Sequence, residues 1–212
     1  MSKRRAIPAT RTPPARVKRG IGSVVLRRFD PSRDTYEQLT SMLHRAFARL
    51  GMMGLNCTCV DQDTAVTRQR AQAGECFVVA HDGKVIGTMT LVARDRESAC
   101  EHYRRHDVAT IRQLAVDPSW QNRGIGQSLL AFAEHWAATR GCAELALDTP
   151  YPAEHLVTFY RKQGFRIVDV VRFAGKVYDS AILSKAPVVA RTLAAWTHRV
   201  ALPSARFVRF AA

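Results

Sequence analysis

Between Ile111 and Leu130 the chain reads Ile-Arg-Gln-Leu-Ala-Val116, Asp117-Pro118-Ser119-Trp120, Gln121-Asn122-Arg123-Gly124-Ile125-Gly126, Gln127-Ser128-Leu129-Leu130. An apolar β-forming run, a proline, two glycines and a helical apolar pattern follow one another without a gap. Pro118 cannot donate to a ladder and holds Asp117 extended, so the strand ends there. Gly124 and Gly126 let the backbone turn sharply, and the helix starting near Gly126 presents unbonded N–H groups and a positive dipole end. A strand, a glycine loop and a helix start in this order make a seat for an anion, and a pyrophosphate fits it.

Residue content excludes two common phosphate loops. A Walker loop requires a Gly-Lys-Ser/Thr ending, and a dinucleotide fingerprint requires three glycines and a later ribose-binding acid; Gln121 to Gly126 supplies neither. The remaining pattern is Gln-x-x-Arg-Gly-x-Gly, with Gln121 and Arg123 as polar and cationic partners for phosphate oxygens. In its strand and helix context the segment resembles the pyrophosphate-binding motif of the GNAT superfamily of acyl-CoA-dependent N-acetyltransferases. Leu145-Ala-Leu-Asp-Thr149 and Ala153-Glu-His-Leu-Val-Thr-Phe-Tyr-Arg-Lys-Gln-Gly-Phe165 resemble that family's later strand and helix, at its usual separation.

The resemblance implies an α/β (α+β) fold. Its single GNAT-like domain, residues 23–185, would hold a mixed, mostly antiparallel sheet of about seven strands with helices on both faces. It implies acetyl-CoA as co-substrate and no metal. The cofactor would lie along Leu114, Ala115 and Val116, with the pyrophosphate on Gln121, Asn122, Arg123, Gly124, Ile125, Gly126, Gln127 and Ser128. The Val116 N–H would polarise the thioester carbonyl, and Tyr160 would be the general acid that protonates the leaving sulfur. Acetyl transfer to a primary amine, on a small molecule or a peptide, by direct attack in a ternary complex is the activity it implies. Two departures from the family stand out. Thr110 occupies the position of a glutamate base, leaving water, His106, Asp107 and Asp148 as alternatives, and Ala153 replaces an asparagine that contacts CoA.

Periodicity fills in the rest. Val24 to Leu26 reads as a strand, and Leu39, Met42, Leu43, Ala46, Phe47 and Leu50 recur at helical spacing over 32–50, with Gly51 and Gly54 as breakers. A short helix is expected over 64–73. Asp82-Gly83 joins two β-rich runs, 75–81 and 84–93, as a hairpin. Further strands are expected over 109–116, 143–149, 165–173 and 176–183, and helices after Gly126 and over 153–163. Residues 94–107 read as a solvated, charged loop, and Cys57-x-Cys59 as two partly buried thiols rather than a metal half-site.

The net charge of +14 invites a nucleic-acid reading, but residues 1–22 hold seven cations and residues 186–212 hold four, with no acid in either. Eleven of the fourteen excess charges therefore sit in the tails. The leader 1–22 reads as flexible, with an arm for nucleic acid as the lesser reading, and 186–212 as a partly helical extension placed to pack on the core or on a second subunit in a homodimer. An alternative without turnover, an acyl-CoA-binding sensor, follows from Thr110. No apolar run approaches the roughly 20 residues of a membrane span, no apolar segment follows the basic start, and five scattered cysteines suit a reducing cytoplasm.

Overall fold

The computed structural model describes residues 24–189 and the backbone of 208–210. The expected leader 1–22 and the helix expected near Ala190 to Val200 lie outside the described residues. In chain order the elements are β1 (Val24–Arg28), α1 (Tyr36–Met52), α2 (Thr58–Asp61), α3 (Thr64–Gln72), β2 (Glu75–His81), β3 (Lys84–Val92), α4 (Glu101–Arg104) and β4 (Val108–Val116). They continue with α5 (Ile125–Thr139), β5 (Glu144–Pro150), α6 (Glu154–Lys162), β6 (Arg166–Val171), β7 (Ser180–Lys185) and β8 (Val208–Phe210).

One sheet holds them in the order β6-β7-β5-β4-β3-β2-β1-β8. Only β4 with β5 and β1 with β8 pair in parallel, so the sheet is mixed and mostly antiparallel as expected. Seven strands fall within residues 24–185, and the eighth is a three-residue strand that the sequence reading placed in a helical extension.

Helices cover both faces because the strands alternate their side chains between them. Phe77 and Val79 pack with Leu129, Leu130, Ala133 and Trp136 of α5. Val78 and Val85 pack on the opposite face with Leu39, Met42 and Leu43 of α1. Local chemistry starts α1 and α3. Thr35 accepts a hydrogen bond from the Gln38 N–H at 3.2 Å and Asp63 from the Val66 N–H at 2.7 Å, each capping a first turn. Gly51 does not end α1, which runs on to Met52; a helix held by a buried face carries one glycine at a cost of about 1 kcal/mol.

Two further differences matter for the site. The 94–107 segment is not simply a solvated loop: Cys100 and Tyr103 are fully buried against Val108, Ala146 and Ile182. The β6 and β7 strands are shorter than their β-forming residues suggest, because the connection between them is tied elsewhere. Lys176 Nζ donates to the Asn56 carbonyl at 2.8 Å, the Val177 N–H to Asn56 Oδ1 at 3.0 Å, and Asn56 Nδ2 to the Gly175 carbonyl at 2.8 Å.

Gly74 joins α3 to β2 where a Cβ would stand 2.3 Å from the Leu91 carbonyl oxygen. Gly74→Ala should therefore lower stability by about 1–3 kcal/mol, read as a fall in the denaturation midpoint.

Candidate active site

The site begins where two strands part. β4 and β5 pair only from Val108–Glu144 to Thr110–Ala146; beyond that point β4 follows β3 to Val116 and β5 follows β7 to Pro150. A bulge in the β3–β4 pairing puts Gln113 in the left-handed region at φ 53°, an uncommon conformation for a non-glycine residue. Gln113 is buried there, its side-chain carbonyl accepting from Gln62 Nε2 at 3.1 Å.

Past the bulge the backbone alternates. The Asp117 N–H donates to the Ile86 carbonyl at 2.8 Å, so Val116 and, two residues earlier, Leu114 turn their own N–H and C=O groups away from β3 into the opening. Ala115, between them, faces β3 and packs its side chain with the α1 face.

The glycine loop closes one end of this opening. Asn122 and Gly124 both have positive φ, 58° and 80°, and Gly124 is the residue before the first turn of α5 with no side chain capping that turn. The helix therefore leaves its first N–H groups unbonded beside the parted strands. A Cβ on Gly126 would sit 3.5 Å from Phe159 of α6, an ordinary contact, so this glycine is not required for space.

The other loop residues divide by role. Arg123 lies over Trp120 at 4.9 Å, and Trp120 packs tilted against His81 with ring centroids 4.5 Å apart, so an aromatic brace holds the guanidinium at the loop. Gln121 Nε2 donates to the Val116 carbonyl at 3.0 Å, which engages it with the strand end. Gln127 is exposed, Ile125 is buried in the core, and Ser128 Oγ donates back to the Gly124 carbonyl at 3.1 Å. The Ile125 side chain and the Ser128 hydroxyl thus serve the helix itself. Asp117 braces the loop from below, accepting from Ser119 Oγ at 2.6 Å and from Arg45 of α1 at 2.8 Å.

Asp148 is the centre of the opening on the β5 side. It lies two positions past Ala146, the last β5 residue paired with β4, and it is exposed to solvent while protein crowds its carboxyl enough to desolvate it. Desolvation there pushes its carboxyl above the ordinary range against the pull of Arg70, the Tyr103 hydroxyl and Arg112. Tyr103 Oη donates to Asp148 Oδ1 at 3.3 Å. Tyr160 of α6 is also buried, its ring edge-on to Phe159 and Phe165. Burial, then the charge of Asp148, raises its phenol far above the usual value, so it holds its proton.

The other expected base candidates lie away from this cleft. Asp107 is ion-paired with Arg105 at the opposite end of β4, and His106 is exposed beside it. Thr110 is buried with a hydroxyl that finds no partner among the described residues. Ala153 is fully buried against Tyr178 and Cys57, so an apolar cluster occupies the position of the family's asparagine. Cys57 and Cys59 are buried thiols, the first receiving the Tyr178 hydroxyl at 3.3 Å. Tyr103, Tyr178 and Arg70 were not singled out from the sequence. A tyrosine in a charged loop and an arginine on a polar helix carry no local signal of a shared cleft.

Residues 55–165, the span from the α1–α2 connection through both halves of this site, match the Acetyltransferase (GNAT) family. The chain belongs to that family. It is 34% identical over 100 residues to the aminoglycoside N(6')-acetyltransferase type 1 of Klebsiella aerogenes, a match covering 47% of this chain and 64% of that enzyme. It is 26% identical over 131 residues to the S-(2-succino)cysteine N-acetyltransferase of Bacillus subtilis, covering 61% of this chain and 77% of the relative. Its fold superposes on the crystal structure of a GNAT family acetyltransferase from Elizabethkingia anophelis with acetyl-CoA bound, with a TM-score of 0.55, 19% identity, and coverage of 77% of this chain and 98% of the other. Among the described residues of this GNAT acetyltransferase, no helix is long and apolar enough to cross a membrane.

The raised carboxyl of Asp148 carries a stability consequence. A carboxyl whose folded pKa exceeds its unfolded value stabilises the fold most when protonated, and that contribution fades as pH rises through the folded value. Asp148→Asn keeps an acceptor for Tyr103 and removes the desolvated charge, so its melting temperature relative to the parent should climb as pH rises above about 4. A difference that is flat with pH would show that Asp148 is not destabilised by its surroundings.

Proposed function

We propose that this N-acetyltransferase moves an acetyl group from acetyl-CoA to the amine of an acceptor seated at Asp148. The parting of β4 from β5 beside an uncapped helix start carries the reading. It combines, within one opening, unbonded strand groups for an amide-bearing arm and unbonded helix N–H groups for a pyrophosphate. In this reading the pyrophosphate lies over the amides from Asn122 to Gln127, with Arg123 held at its edge by Trp120. The pantetheine arm hydrogen-bonds along Leu114 and Val116, and the Val116 N–H polarises the thioester carbonyl as charge develops on its oxygen.

The amine nitrogen attacks the thioester carbon and an N–H proton passes to Asp148. The tetrahedral intermediate collapses by breaking the C–S bond, and the sulfur takes the proton of Tyr160. The acetylated amine and CoA leave, with one proton gained by Asp148 and one lost from Tyr160, and exchange with solvent restores both. Asp148 suits its part because a carboxyl raised above its ordinary range is a stronger base than a free one. Tyr160 suits its part because it cannot ionise before the sulfur demands its proton. All five cysteines are free thiols, which supports a reducing, cytoplasmic setting for the enzyme.

Thiol release from acetyl-CoA across a panel of amines tests the reading. Tyr160→Phe should lower kcat by roughly a hundredfold or more while leaving acetyl-CoA affinity, measured by calorimetry, unchanged. Gly124→Val should instead lose affinity, because a β-branched residue resists a φ of 80° at the loop. In the parent enzyme, kcat/KM should fall on the acid side as Asp148 protonates, with the midpoint above the ordinary carboxylate range. Normal turnover in Tyr160→Phe removes that residue from the chemistry, and intact acetyl-CoA binding in Gly124→Val removes the loop.

A further inference from the structure

Resting on the acetyl-transfer reading, we infer that the acceptor is an amine that also carries an anionic group, a carboxylate or a phosphate, which docks between Arg70 and Lys176. Both cations lean on the short α2 helix. Lys176 Nζ donates to Thr58 Oγ1 at 3.0 Å and to the Asn56 carbonyl at 2.8 Å, while Arg70 Nη1 donates to Gln62 Oε1 at 3.0 Å and lies 3.7 Å from Cys59 Sγ. Neither has a carboxylate partner among the described residues, although both are only partly exposed.

Thr58 and Gln62, which receive them, stand four residues apart at the two ends of α2, so this one turn brings both cations to the same part of the molecule. Arg70 is also the largest cationic pull on the Asp148 carboxyl, ahead of Arg112. Arg112 is already paired with Asp95.

Donor arithmetic gives the two cations a task. A guanidinium has five N–H groups and an ammonium three; Nε and Nη2 of Arg70 and one hydrogen of Lys176 remain unbonded among the described residues. An anion between them accepts charge-assisted bonds from both, and a planar carboxylate or a phosphate suits the guanidinium fork. With the anion docked there, the amine reaches Asp148. The surrounding positive charge favours the unprotonated amine, which is the nucleophilic form. A polycationic acceptor meets the reverse: each additional ammonium approaches the like charges of Arg70 and Lys176.

Matched acceptors decide the point. The full chain is assayed by thiol release with an α-amino acid and its primary amide, with glucosamine 6-phosphate and glucosamine, and with an aminoglycoside. The anionic member of at least one pair should be preferred by roughly tenfold or more in kcat/KM, and whichever pair shows it distinguishes carboxylate from phosphate. Arg70→Gln and Lys176→Met should each collapse that preference, while Arg70→Lys, which keeps the charge, should retain part of it. Equal or better transfer to the neutral members or the aminoglycoside overturns the inference, as does a preference that survives both substitutions. A chain that binds acetyl-CoA and transfers to none of these amines also overturns it. A chain that binds no acetyl-CoA overturns the acetyl-transfer reading itself.

Discussion

The parallel contact between β4 and β5 lasts three residues, and most of what the site can do follows from its ending at Thr110. In a continuous sheet the N–H and C=O groups of Leu114 and Val116 would be spent on a neighbouring strand. Released from it, they form an open edge inside the protein rather than at its rim. Such an edge is ordinarily a liability. Here its ends are managed: Gln121 occupies the Val116 carbonyl, the bulge at Gln113 directs β4 onto β3, and Asp117 pins the following turn to α1. The Thr110 hydroxyl, buried at the fork, has no hydrogen-bond partner among the described residues.

The same fork explains the charges. Asp148 projects from β5 into space that β4 has vacated, open to solvent yet crowded by protein. Tyr103 bonds it directly, its charge also acts on Tyr160 and Tyr178, and each of the three holds its proton more tightly than a free phenol, burial being the first cause. A carboxylate set among protonated phenols and two arginines is costly to desolvate and useful to keep. Natural sites commonly retain such groups for reactivity rather than for stability.

How much of this the sequence displays depends on how local each signal is. The glycine loop, the Asp82-Gly83 hairpin and the amphipathic faces of α1 and α5 are written within a few residues, and they form where periodicity and turn chemistry put them. Tyr160 was legible only through its resemblance to a family motif. Asp148 stood among several acids until the parting of the strands singled it out and left Asp107 paired at the far end. The contributions of Tyr103, Arg70 and Lys176 depend on loops and short helices brought together across more than 40 residues of chain or more, as in the Tyr103–Asp148 and Lys176–Asn56 contacts. No pattern of polarity encodes that convergence. Ser128 and Ile125 belong to the motif by position, and helix geometry turns their side chains inward.

The pairing of β8 with β1 gives the molecule a temporal property. During synthesis, residues 24–28 emerge well before residues 208–210, so they can pair on one side with β2 while the strand that flanks them on the other side is still unmade. Until residues 208–210 appear, β1 is a bare edge on an otherwise assembled sheet, open to another nascent chain. The site is finished before that edge is, because every element that builds it precedes Lys185. Chains interrupted shortly before β8 would thus carry the parted strands and the glycine loop together with an adhesive border, coupling the quality of translation to self-association.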